Sequence, residues 1–225
     1  MDFIFMLTRD DQTVEDCLAV LDAVGDVGLT HLGFKDVGAD PRTLGLLVEG
    51  IRRAGAVSYL EVVSTTREAC LRSARVAIEI GVDRLLGGTD VEPILDILAG
   101  SRVAYYPFPG RPEGHPTRLG GTPETVAADC RRFARLGCAG VDLLAYRATE
   151  ADPLDLVRAA RAATPGHVIV AGSVNSPARI RALREAGADA LTIGSAAFDG
   201  SFSPRKGLLA SQLRDILAAP ASRGR

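Results

Sequence analysis

Short apolar runs recur along the chain, separated by longer stretches in which apolar positions return every three or four residues. The runs are Asp2–Leu7, His31–Lys35, Val57–Val63, Arg84–Leu86, Val103–Tyr106, Val141–Ala145, His167–Ala171 and Ala190–Ile193. Most are apolar on both faces, as strands of a parallel sheet covered by helices must be. The intervening stretches carry helical periodicity. Val14–Val24 places Cys17, Leu18 and Leu21 on one side, and Glu68–Ile80 offers Ala69, Leu71, Ala74, Ala77 and Ile80 as its apolar set. Strand alternating with helix predicts an α/β architecture, here a single eight-stranded parallel (β/α)8 TIM barrel. The rival, an open doubly wound sheet, would be expected to carry G-x-G-x-x-G after its first strand, and the chain has none there.

A weak internal repeat points the same way. Gly81-Val82-Asp83, Gly140-Val141-Asp142 and Gly187-Ala188-Asp189 each follow a helical run and lead into an apolar strand, and Gly28-Leu29-Thr30 occupies the same place earlier. Glycine there is expected to end the helix in a left-handed cap, with the polar residue turning the chain into the sheet.

Composition narrows the class. At 225 residues the chain is close to the ~250 typical of one such barrel, so residues 1–219 are expected to form one domain and 220–225 a flexible tail. The formal net charge is −2 and Lys and Arg are not clustered, which argues against a nucleic-acid partner. No apolar run approaches the ~20 residues of a membrane span. The chain enters its first strand pattern directly, with no signal-peptide pattern ahead of it. Cys17, Cys70, Cys130 and Cys138 lie in or beside helical segments without metal-like spacing and read as buried thiols of a cytoplasmic protein. Homo-oligomerisation is compatible with this composition, but no interface is marked.

One connection breaks the rhythm. Residues 107–122 are rich in Pro and Gly and carry Arg111, His115 and Arg118. Most loops in such units run about two to six residues, so this one is expected to act as a lid.

Chemistry is expected where strands end, because barrel enzymes place reactive groups at the carboxyl ends of their strands. Two apolar runs end in Gly-Ser pairs, Gly172-Ser173 and Gly194-Ser195, with a helical segment between. Consecutive parallel strands would set both pairs at one rim, where backbone amides could hold a phosphate. Lys35 ends the second run and is one of only two lysines, the other being Lys206. Lysine can lose a proton and arginine cannot, so Lys35 suits general acid/base work, a Schiff base, or an ion pair with Asp36 or Glu61. Glu61 lies inside the apolar Tyr59–Val63 run, where a carboxylate needs a partner or a function. Lys35 and Glu61 are therefore the expected catalytic pair. Arg9, Tyr106, His115 and Arg147, at or beyond strand ends, are expected to contact substrate. Asp90 is expected to cap a helix. No His, Asp, Glu or Cys cluster has metal-ligand spacing, so neither a metal nor another cofactor is expected.

The stretch Val168–Ala197, with Ala171-Gly172-Ser173, Ser176-Pro177-Ala178-Arg179, Ala186-Gly187-Ala188-Asp189 and Ile193-Gly194-Ser195-Ala196, resembles the last two βα units of the ribulose-phosphate-binding barrel superfamily. That group includes phosphoribosylanthranilate isomerase, ProFAR isomerase, N-acetylmannosamine-6-phosphate epimerase and KDPG aldolase. The resemblance implies phosphate binding at Gly172, Ser173, Gly194 and Ser195. It does not select a reaction: Ala171-Gly172 stands where the epimerase carries an acidic residue, Val103–Pro107 has no Schiff-base lysine, and Gly33 and Gly38 flank Lys35 where the decarboxylases carry acids. The reading that follows is a metal-independent isomerase or epimerase of a small phosphorylated sugar-like metabolite using Lys35 and Glu61. Its rivals are a Schiff-base aldolase or lyase using Lys35, and a non-catalytic barrel that binds a phosphometabolite.

Overall fold

A computed structural model describes residues 1–64, 66–114 and 116–219. Eight parallel strands form the barrel: β1 Asp2–Met6, β2 His31–Lys35, β3 Val57–Val62, β4 Arg84–Gly87, β5 Ala104–Tyr106, β6 Gly140–Leu143, β7 His167–Val170 and β8 Ala190–Ile193. Seven seams are regular ladders, with β1 between β8 and β2. The eighth, between β5 and β6, is bridged by two main-chain bonds. Ala139 N–H donates to Tyr105 O at 3.0 Å, and Asp142 N–H donates to Pro107 O at 3.0 Å. The barrel is nearly closed, and each expected strand lies within two residues of its expected bounds.

Around it run α1 Cys17–Ala23, α2 Pro41–Arg53, α3 Arg67–Glu79, α4 Val91–Leu98, α5 Pro123–Arg135, α6 Pro153–Ala163, α7 Pro177–Ala186 and α8 Leu209–Ala218. A single helical turn, Ser195–Phe198, follows β8 directly. Sequence sets many of the helix starts. Asp40, Thr66, Thr122, Asp152 and Ser176 each accept an amide from the first turn of the next helix, and all but Thr66 are followed directly by proline at the first helical position. Asp90 departs from this pattern: it precedes α4 without capping it and pairs instead with Arg67 at 2.9 Å. Helix α1 begins three residues later than its periodicity suggests, and it buries Cys17 while Leu18 is exposed.

Two apolar layers result. The larger lies between sheet and helices, where α3 buries Cys70, Ala74 and Ala77 and α2 buries Leu44, Leu47, Val48 and Ile51. The smaller fills the barrel interior with Ile4, Met6, Tyr59, Leu86, Tyr106, Ile169 and Ala190.

The glycine repeat needs one correction. Gly28, Gly81 and Gly187 have the expected left-handed φ at helix ends, but Gly140 does not. Helix α5 ends at Arg135, and after Leu136 the chain turns at Gly137, with φ +87°. Gly140 is the first residue of β6, so Asp142 falls inside the strand and not at its entry. The rim positions are Asp83, whose carboxylate accepts from Ser58 N–H and Oγ–H, and Asp189, which accepts from Val168 N–H.

The described residues of the 107–122 connection are folded. Arg111–Glu113 pairs antiparallel with Arg118–Gly120, and Leu119 of the second strand is buried. Arg111 is tied to Glu150 at 2.6 Å, and Gly121 N–H donates to the same carboxylate. His115 and residues 220–225, the expected tail, lie outside the described residues. A second, smaller hairpin joins Thr8–Arg9 to Gln12–Thr13 immediately after β1.

Candidate active site

The carboxyl ends of the strands enclose a cavity of about 250 Å³. Lys35 from β2 and Glu61 from β3 reach it from neighbouring strands that hold them in register. Both are buried, at 5% and 3% exposure, so their charges must be met by protein or ligand. Lys35 Nζ donates to Asp11 Oδ1 at 2.6 Å and lies 3.4 Å from Glu61 Oε2. The ion pair to Asp36 does not form. The Asp36 carboxylate accepts instead from Val63 N–H, Ser64 Oγ–H and Ser73 Oγ–H, a brace between β2, β3 and α3.

Asp11 was not among the sequence candidates. It sits at the tip of the hairpin after β1. Asp10 and Asp11 take φ values of +51° and +60°, as the two-residue turn of such a hairpin requires. Non-glycine residues at positive φ are strained and concentrate at functional sites. The strain aims the Asp11 carboxylate at both cations of the mouth. Arg147 forks onto it, Nη1 to Oδ2 at 2.7 Å and Nη2 to Oδ1 at 2.8 Å. Burial pushes the Asp11 carboxyl up, but the bonds from Arg147 and Lys35 outweigh it and hold the group well below the usual carboxylate range. Arg147, held by the Asp11 carboxylate, is pushed up in turn.

The far wall is made of the two Gly-Ser turns. Gly172, Ser173, Gly194 and Ser195 all line this cavity, together with Val174 and Asn175. Gly172 and Ser173 are consecutive left-handed residues, at +79° and +59°. None of the four amides of residues 172–175 is taken by an acceptor among the described residues. Successive amides left unengaged in a turn are an arrangement suited to receiving an anion. Glycine is dictated at two of these positions by close packing. A Cβ on Gly172 would lie 2.5 Å from Arg147 Nε, and one on Gly194 would lie 2.5 Å from Thr8 Oγ1.

Two expected substrate contacts do not join the cavity. In the 8–13 hairpin, alternation sends Thr8 and Thr13 inward and Arg9 outward, where its guanidinium stacks over Phe198 at 5.4 Å. Tyr106 points into the barrel but below the mouth. Strands tilt against the barrel axis, so residues in register from Lys35 through Glu61 and Leu86 to Tyr106 descend around it. Tyr106 ends near Arg84, whose guanidinium is 5.9 Å from its ring, in the apolar layer.

Asp142 is the other residue that sequence reasoning missed. It is fully buried on β6, and neither carboxylate oxygen has a hydrogen-bond partner among the described residues. Burial and the Glu61 charge push its carboxyl well up, against Lys35 and Arg147. The signal was present: a lone acid in the apolar Val141–Ala145 run carries the same implication as Glu61 in Tyr59–Val63.

No three His, Cys, Asp or Glu side chains converge as a metal-holding cluster among the described residues. The four thiols are unpaired. Burial pushes Cys130 up to about 12 and Cys138 to about 11, which keeps both from acting as nucleophiles. No described helix is long and apolar enough to cross a membrane.

Fold and mouth together define a (β/α)8 barrel with a charged cavity at the carboxyl ends of its strands. No family model matches the chain, and no curated protein matches it in sequence. Solved structures share its fold. An orotidine 5′-phosphate decarboxylase from Pyrococcus horikoshii OT3 is 14% identical with a TM-score of 0.64, over 98% of this chain and 100% of that one. A structure described as native KDPGal is 14% identical with a TM-score of 0.69, over 98% and 95%. A variant tryptophan synthase alpha-subunit from Pyrococcus furiosus is 15% identical with a TM-score of 0.69, over 96% and 98%. At such identities the likeness is to the barrel alone.

Proposed function

We propose that the protein is an enzyme acting on a small phosphorylated, sugar-like metabolite, and that it isomerises or epimerises it by metal-independent proton transfer. One observation carries this reading. A lysine and a glutamate 3.4 Å apart share a cavity of about 250 Å³ with a turn of four unengaged amides. The turn suits a phosphate, with Gly194 and Ser195 beside it. Glu61 then takes a proton from carbon next to a carbonyl, and the Lys35 ammonium supports the negative charge that develops on the carbonyl oxygen. Return of that proton to the neighbouring carbon, as the neighbouring hydroxyl gives its proton to the former carbonyl oxygen, gives an isomer; donation of a proton to the opposite face by the Lys35 ammonium, with Glu61 keeping the one it took, gives an epimer. Arg147 lines the same cavity and supplies a second cation for the substrate's oxygens.

The geometry is less suited to a Schiff base, which needs the Lys35 nitrogen free of its proton and of Asp11. The test is incubation with a panel of phosphorylated ketoses and aldoses in heavy water, following deuterium uptake at carbon by NMR. Exchange that depends on Glu61 supports the proposal. A borohydride-trapped adduct on Lys35 with no exchange would replace it with a lyase. Raised melting temperature with phosphosugars, but neither exchange nor adduct, would make the barrel a binding protein.

A further inference from the structure

Asp11 fills the place that a substrate carboxylate would take. An arginine grips a carboxylate through two parallel N–H bonds, and both terminal nitrogens of Arg147 are already spent on the Asp11 oxygens, at 2.7 and 2.8 Å. Nη1 also donates to Thr117 O at 3.2 Å. Lys35 Nζ donates to Asp11 Oδ1 at 2.6 Å and pairs with Glu61 at 3.4 Å. An ammonium has one donor to spare after those two. A lone hydrogen bond to a carbonyl or hydroxyl oxygen is still available at either cation; a forked grip on a carboxylate is not.

The hairpin that carries Asp11 is fastened to the strand end that carries Lys35. Thr13 Oγ1 accepts from Lys35 N–H at 2.8 Å, and its hydroxyl donates to Lys35 O at 2.9 Å. Thr13 N–H donates to Val37 O at 2.9 Å. Asp11, itself buried, is thus a built part of the wall. The charges agree. Among the described residues that line the cavity, Lys35 and Arg147 are the cations, and Asp11, Glu61 and Asp199 are the acids. The 172–175 amides can meet one anion, and no unpaired cation lines the cavity to meet a second. A second anion would lie beside Asp11 and Glu61, where burial weakens the screening of like charges.

We infer that Asp11 is a specificity-determining residue. It restricts the site to substrates whose reacting end is uncharged, polyhydroxy aldehydes or ketones carrying one phosphate, and turns away those with a carboxylate at that end, such as keto-acid or sugar-acid phosphates. A charge built into the wall against the wrong substrate gives selectivity that attractive contacts alone do not. This names the substrate class of the site proposed above and rests on that reading for the phosphate; the exclusion of carboxylates stands on Asp11 and its two cations.

The test is calorimetric titration and thermal melting of the full chain as wild type, Asp11→Asn and Asp11→Gly. Both replacements tolerate the positive φ of this position. Glycerol 3-phosphate and 3-phosphoglycerate share a carbon chain, a hydroxyl and a phosphate, and differ only in a hydroxymethyl or a carboxylate at the far end. Wild type is expected to bind the first at least about tenfold more tightly than the second, because like charges juxtaposed across a contact are costly. In both variants that order is expected to reverse. Glycerate, with the carboxylate and no phosphate, is expected to raise the melting temperature of the variants and not of wild type. A purely structural Asp11 would lower the melting temperature when replaced without exchanging the order of the ligands, and that result would overturn the inference. So would a wild type that binds 3-phosphoglycerate as well as glycerol 3-phosphate, a comparison that decides even where a variant fails to fold. Glycerate binding gained by the variants, with no response to either phosphate compound, would uphold the role of Asp11 and remove the phosphate site, so the two readings fail separately.

Discussion

The two ends of the barrel treat buried polar groups in opposite ways. At the amino ends of the strands, Tyr59 is buried with its hydroxyl bonded to His31 Nδ1 at 2.9 Å and to Arg84 Nη1 at 2.8 Å. Asp83 and Asp189 cap strand entries, and Arg161 ties Asp189 to the α6–β7 turn through the carbonyls of Thr164 and Gly166. At the carboxyl ends, Asp10, Asp11 and Ser173 take left-handed backbone conformations, the Asp142 carboxylate has no hydrogen-bond partner among the described residues, and a turn whose amides take no acceptor among them lines an open cavity. One rim is saturated and relaxed, and the other is strained and unsatisfied. In a barrel, the first rim serves stability and the second serves chemistry.

The largest effect that would sharpen this division is on turnover. Glu61→Gln is expected to lower deuterium exchange of the substrate about 10²–10⁴-fold, the usual worth of a general base. Tyr59→Phe should leave it within a small factor. Equal losses from the two variants would erase the distinction between the rims. On stability, Lys35→Met leaves Glu61 buried without its cation and is expected to cost about 3–5 kcal/mol in denaturant unfolding, as removal of one partner of a buried pair does. A cost near zero would mean that the mouth is wetter than its burial implies.

Gly172→Ala should cost about 1–3 kcal/mol for a side chain at φ +79°. It should also abolish the melting shift produced by inorganic phosphate, because the new Cβ pushes Arg147 off the turn. Retention of that shift would separate the turn from phosphate. Tyr59→Phe should cost about 1–2 kcal/mol, from two hydrogen bonds lost to partly buried partners. The smallest effect is pH-dependent. Burial lowers the pKa of His31 against the opposing pull of Asp2. Its contribution is therefore present above the usual histidine range near 6.5 and lost as pH falls, and His31→Gln should flatten the melting curve there.

The strands were legible because each is a short apolar run whose pattern depends only on its own residues. Lys35 and Glu61 were legible as charges inside such runs, and the structure sets them side by side. Gly172, Ser173, Gly194 and Ser195 were legible as paired turns, and they wall one cavity. Asp142 was hidden by a look-alike: Gly140-Val141-Asp142 matches the strand-entry pattern, yet Gly137 is where the helix turns. Asp11 was hidden because its reach depends on a hairpin that the sequence marks only by two adjacent aspartates. Arg9 and Tyr106 were misplaced for geometric reasons, side-chain alternation in that hairpin and strand tilt around the barrel.

Local periodicity, helix caps and lone charges in apolar runs are properties of neighbouring residues, so the chain alone dictated eight βα units and marked Lys35 and Glu61. Which end of the barrel each charge reaches, that Asp11 binds Arg147 from 136 residues away, and that the Asp142 carboxylate has no hydrogen-bond partner among the described residues were decided only when the sheet closed. Closure brings together groups far apart in sequence, and the tilt and register of all eight strands jointly fix their heights and directions.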